Sequence, residues 1–113
     1  MSEPRFRVFW SDAAKDDLRR LASWVAADSP SDAAALLIRL RKRVGTLATA
    51  PARGRVVPEL AFFGISALRE VVERPYRIVH RITGRTIAVL GVFDGRRELE
   101  DVLLERLTVP PES

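Results

Sequence analysis

"LREVVERPYRIVHRITGRTIAVLGVF", Leu68 to Phe93, decides the fold. Three apolar runs, Leu68 to Glu73, Tyr76 to Ile82 and Thr86 to Phe93, are rich in β-branched side chains and are separated only by "RP" and "TGR". Connections that short make hairpins, so the runs form an antiparallel meander. In the middle run the period of two puts Tyr76, Ile78, His80 and Ile82 on one face and Arg77, Val79 and Arg81 on the other. One face is apolar and needs a cover; the other is basic.

The cover lies upstream. Ser11 reads as an N-cap, and Ala14, Leu18, Leu21, Ala22 and Val25 then recur at helical spacing, with Asp12 placed favourably for the helix dipole. In "DSPSD" Ser29 caps a second helix, Pro30 takes its first position and Asp32 sits where it can complete a weak capping box. That helix is expected to run to about Ala50 on a stripe of Ala33, Leu36, Leu37, Leu40, Val44 and Leu47. So short a link makes the two helices an antiparallel hairpin. Trp10 and Trp24 belong to its packing.

The remaining segments complete the outline. "RFRVFW" alternates charge and bulk and predicts a short N-terminal strand. "APARGRVVPELAFFGIS" holds two prolines and two glycines and reads as an irregular crossing. Leu99, Val102, Leu103, Arg106 and Leu107 predict a short C-terminal helix before "TVPPES" frays. The fold class is therefore α+β: an N-terminal strand, an antiparallel helical hairpin, a three-stranded antiparallel meander completing a four-stranded sheet, and a short C-terminal helix. Residues 1–113 are expected to form a single domain.

Composition narrows the chemistry. The chain has no cysteine and one histidine, His80, which excludes disulfides, thiolate catalysis and an ordinary zinc site. No metal or cofactor is expected. No apolar run approaches the ~18 residues of a membrane span, and the N-terminus lacks a secretory core. A cytoplasmic protein with no membrane partner is expected.

The net charge is +4 and the sequence pI about 10.6, which favours acidic or polyanionic partners. Residues 1–52 hold nine basic and six acidic side chains, 53–97 nine and four, and 98–113 one and five. The middle third is thus the expected contact surface. All basic residues except Lys15 and Lys42 are arginine; compositional bias accounts for this, and so does recognition of carboxylate or phosphate by a planar fork.

Arg77 and Arg81 point either into solvent or into a groove on the second sheet face. In "VFDGRRELED", Val92 to Asp101, Asp94 and Gly95 end the last strand, and Arg96 and Arg97 follow beside the basic face. Arg97 and Arg77 can form a two-guanidinium anion site, unless Glu98, Glu100 or Asp101 neutralises the pair locally. An unperturbed histidine titrates near neutrality and so suits acid–base work, but the position of His80 on the apolar face predicts a hydrogen-bonded core histidine.

The element order, with "ARGRVVPEL", "LREVVERPYRIVHRI" and "GVFDGRRELEDVLLERL", resembles the RelE/ParE superfamily of bacterial toxin–antitoxin toxins, from Phe6 to Leu107. The resemblance implies one of two activities. RelE-like members are ribosome-dependent mRNA endonucleases that use a base and phosphate-binding arginines; ParE-like members are DNA gyrase inhibitors. Arg77 and Arg97 fall where the nucleases keep phosphate-stabilising arginines. Leu103, however, stands where they carry a catalytic tyrosine, and Arg69 stays protonated and is a poor general base.

The resemblance is therefore closer to ParE. "PARGRVVPEL" is also similar to a Gly-Arg…Pro-Glu segment usual in ParE-like toxins. It implies growth arrest through gyrase, a role in plasmid stabilization, and a hetero-oligomer with a cognate antitoxin protein. Arg55, Arg77, Arg81, Arg96 and Arg97 are the expected target or antitoxin contacts. The alternative is an mRNA endoribonuclease acting on the ribosome with an atypical acid–base set, Arg77, Arg97, Arg69 and His80. A third possibility is a degraded toxin kept as a partner of its antitoxin.

Overall fold

The structure, a computed structural model, describes residues 5–95. Arg96, Arg97 and the expected C-terminal helix lie outside the described residues. The element order is β1 (Arg7–Trp10), α1 (Asp12–Ala26), α2 (Pro30–Gly45), β2 (Arg55–Val56), α3 (Pro58–Ala61), β3 (Leu68–Glu73), β4 (Tyr76–Thr83) and β5 (Thr86–Asp94).

Both long helices start where their caps predict. Ser11 Oγ accepts the Ala14 N–H at 3.1 Å, and Ser29 Oγ accepts the Asp32 N–H at 3.2 Å. α2 ends at Gly45, not near Ala50, because the chain tightens into a 3-10 turn over Thr46–Ala48 that still buries Leu47. Arg39 and Arg43 on its outer turns reach Glu73 of β3 at 3.5 and 3.4 Å, tying the hairpin to the sheet.

The sheet has five strands in the order β1-β5-β4-β3-β2, not four. β1 runs parallel to β5, and the other pairs are antiparallel. The additional strand is two residues of the crossing segment, Arg55 and Val56, paired with Glu70 and Arg69. A strand that short between glycine and proline leaves no period-two signal. The same segment holds the four-residue α3. In the β4–β5 hairpin Gly84 adopts φ +59°, the left-handed backbone that favours glycine in a two-residue loop.

Two apolar layers result. Leu18, Leu36, Leu40 and Val44 of the hairpin pack on Val71, Tyr76, Ile78, Ile87, Val89 and Val92. On the opposite sheet face Val57 and Leu60 pack on Leu68, Val79 and Phe93. The spacing 87, 89, 92 breaks the period of two because β5 bulges: Gly91 pairs with Val79 and Val89 with His80, so β5 holds one more residue than β4 at this step. Leu90 keeps the α3 side that alternation from Ile87 and Val89 gives it, and the extra residue brings Val92 back to the helices.

β1 ends its pairing at Val89. Beyond it, buried Asp17 of α1 accepts the Val92 N–H through Oδ2 at 2.9 Å, so a helix side chain continues the ladder where the strand stops. Trp10 packs against the core as expected, whereas Trp24 is 70% exposed. It precedes Val25 by one residue and so sits about 100° off the buried stripe.

Candidate functional site: an arginine–glutamate network on the second sheet face

β3 and β4 are in register with Arg69 opposite His80 and Glu70 opposite Val79. Alternation therefore sorts the polar residues into two groups that face apart. Arg69 and His80 face the helices with Val71 and Ile78; Glu70, Arg77 and Arg81 face the other way, as does Arg55 of β2 through its pairing with Glu70.

On the second face Glu70 is fully buried, and its two oxygens are divided between two guanidinium groups. Arg55 donates to Oε2 from Nε at 2.8 Å, with Nη2 at 2.7 Å. Arg77 donates to Oε1 from Nε at 2.8 Å, with Nη2 at 2.7 Å. The outer edge of Arg77 then meets α3: Nη1 donates to Glu59 Oε2 at 2.6 Å and Nη2 to Glu59 Oε1 at 2.7 Å. The order is Arg55, Glu70, Arg77, Glu59, two cations and two anions alternating.

The Arg77 side chain is 11% exposed, and those of Arg55 and Glu59 are 62% and 30% exposed. Arg77 is thus covered and saturated, while the network's ends reach solvent. The hydrogen bonds from Arg77 hold the Glu59 carboxyl below its ordinary value, against the opposing effect of burial. Glu59 in turn raises Arg77 above its own ordinary value, followed by Glu70. A carboxylate so held is a weak proton acceptor.

Arg81 is exposed on the same face, four residues or roughly 13 Å along β4 from Arg77. No ion pair of Arg81 is found among the described residues. Gly95 closes the site at the end of β5. A Cβ there would lie 2.8 Å from Pro75 O and 3.3 Å from Arg77 Cγ and Cδ, so the backbone leaves the sheet hard against the Arg77 stem.

Under the helices, Arg69 donates to Gly54 O at 2.7 Å. His80 is fully buried beside it, yet neither ring nitrogen has a hydrogen-bond partner among the described residues, and Arg69 Nε is likewise unpaired. His80 is therefore the packed core histidine that its strand face predicts, with burial dominating its surroundings. The Gly54 backbone crosses so close that a Cβ would stand 2.7 Å from His80 Cε1 and 2.9 Å from Glu70 O. Burial pushes the imidazole below its ordinary value; the Ile78 backbone opposes this and the Arg69 charge adds to it.

Of the residues singled out in the sequence, Arg55 and Arg77 come together, with Arg81 beyond them on the same face. Arg69 and His80 do not join them. Glu59 and Glu70, which hold the site, were not singled out. Among the described residues no cluster of three or more His, Cys, Asp or Glu could hold a metal ion, and no helix is long and apolar enough to cross a membrane.

Among solved structures, the chromosomal ParDE toxin–antitoxin system from P. aeruginosa is similar in fold, with TM-score 0.66 at 20% identity over 81% of this chain and 98% of that one. The toxin–antitoxin complex RelBE2 from Mycobacterium tuberculosis is similar with TM-score 0.56 at 23% identity, over 82% and 94%. Among curated proteins none matches the sequence significantly. Residues 8–99 match the family described as the ParE toxin of the type II toxin–antitoxin system, parDE, and the chain belongs to that family of toxins, within the RelE/ParE superfamily.

Proposed function

We propose that this toxin arrests growth by poisoning DNA gyrase and is neutralised by a cognate antitoxin that forms a hetero-oligomer with it. The observation that carries this reading over a ribosome-dependent nuclease is the engagement of Arg77. A nuclease needs that guanidinium free for a scissile phosphate and a proton acceptor next to it. Here its donors are directed to Glu59 and Glu70, and His80 and Arg69 face the other side of the sheet.

A binding toxin has no need of an acid–base pair. It needs a shaped, charged surface, and the exposed Arg55 and Arg81 supply charge on the face that carries Arg77, with Arg96 and Arg97 following β5 in the chain. An antitoxin with acidic residues complements that surface. The work is done in the cytoplasm, where gyrase and its DNA are found.

Controlled expression in a bacterial host tests this. Growth arrest accompanied by a DNA-damage response, with protein synthesis continuing at first, is the expected result. Immediate loss of amino-acid incorporation with undamaged DNA would mean a ribosomal target instead.

A further inference from the structure

We propose that Arg77 is a carboxylate-binding site which the chain keeps closed with its own Glu59, and that an Asp or Glu side chain of a protein partner opens it by taking Glu59's place. This rests on the reading of Arg77 as part of the contact surface.

The two carboxylates on Arg77 are not equivalent. Glu70 comes from the middle of β3, is fully buried, and is held by Arg55 as well as Arg77. It is a permanent counter-ion. Glu59 comes from a single turn of helix, keeps 30% of its side-chain surface exposed, and is held by Arg77. The turn it sits on is anchored by Val57 and Leu60, while the residues that follow, Phe62 and Phe63, are 86% and 52% exposed. The buried Val57 and Leu60 hold the backbone of the turn in place, so Glu59 is displaced by rotation of its own partly exposed side chain.

Simple opening is unfavourable, since it would leave a nearly covered guanidinium without half its partners. Exchange is different. An incoming carboxylate remakes the two parallel charge-assisted hydrogen bonds that Glu59 gives up, in the fork geometry that a guanidinium offers. The site thus stays shut without a partner and opens at small cost with one.

The remaining half-site selects the ligand. With Glu59 withdrawn, Arg55, Arg77 and Glu70 together carry a single positive charge, which one carboxylate neutralises. A phosphate dianion would overcharge the site and face the fixed Glu70. An acidic side chain of a protein is therefore the matching ligand.

Hexaglutamate peptide serves as the probe, titrated at low salt into the full chain and into Glu59→Gln. The variant is expected to bind on the order of tenfold tighter, the equivalent of one hydrogen bond to a charged group. That gain should vanish in Glu59→Gln/Arg77→Met. Equal affinity of the wild type and a folded Glu59→Gln, or a gain that survives loss of Arg77, would overturn the proposal.

A wild-type experiment decides the matter even if the variants fold poorly. The side-chain carboxyl resonance of Glu59, followed by NMR, should shift when hexaglutamate saturates the protein, because its two bonds to Arg77 are lost; an unchanged resonance would overturn the proposal. Inorganic phosphate binding Glu59→Gln as tightly as the peptide, through Arg77, would overturn the carboxylate assignment. Gyrase assays on the wild type are separate, so peptide binding without gyrase inhibition would remove the functional reading and leave the site.

Discussion

Arg77 grips both oxygens of Glu59, eighteen residues away in the chain, at 2.6 and 2.7 Å, and on its other edge meets a Glu70 with no solvent exposure. Such a residue is structural before it is anything else. Arg77→Met should cost about 3 kcal/mol, because it strips buried Glu70 of one of its two cations. Arg81→Met, on the same strand but exposed, should stay within about 0.5 kcal/mol of wild type. Urea denaturation of the two variants measures the contrast.

That difference explains what the sequence could and could not reveal. Leu68 to Phe93 betrayed its hairpins because turn signals and β-branched runs are local properties of the chain. β2 stayed hidden because Arg55 and Val56 are a strand only through pairing with Arg69 and Glu70. The β5 bulge had one hint, Gly91 inside an apolar run, but its consequence for Val92 depends on β4.

The site was legible to the same degree. Alternation in "YRIVHR" separated Arg77 from His80 correctly, since period two is intrinsic to a strand. It did not show that Glu59 and Glu70 close around Arg77. Those contacts join β4 to α3 and β3, and no spacing rule within one segment encodes them.

His80 gives a pH signature. Its folded value lies below its ordinary 6.5, so the unfolded chain takes up the proton first and stability falls as pH drops below about 6.5. As the chain has a single histidine, His80→Leu should flatten the stability profile just below about pH 6.5. A profile unchanged by the substitution would contradict the burial of this ring. Glu59 acts at lower pH in the same sense: its contribution is full above its ordinary 4.5 and is lost as pH falls through the lower folded value.

Gly54 is needed for space. Its Cβ position lies 2.7 Å from His80 and 2.9 Å from a backbone oxygen of Glu70, so Gly54→Ala should destabilise by about 2 kcal/mol through overpacking. Thermal unfolding at pH 7 reads this directly. A neutral effect would mean that the crossing segment has room to retreat from the sheet.

Asp17 joins α1 to β5 where β1 has ended. Asp17→Ala leaves the Val92 N–H without that acceptor and should cost about 2 kcal/mol, with faster amide exchange at Val92. Retained protection there would show that another group satisfies the bulged strand.

The most direct measurement is gyrase supercoiling of relaxed plasmid with purified, antitoxin-free protein, run beside a ribosome-bound mRNA cleavage assay at matched concentrations. Gyrase poisoning predicts lost supercoiling, accumulation of cleaved DNA and intact mRNA. Cleaved mRNA with unaffected gyrase would contradict it and would require Arg77 to leave Glu59 and Glu70 for a phosphate.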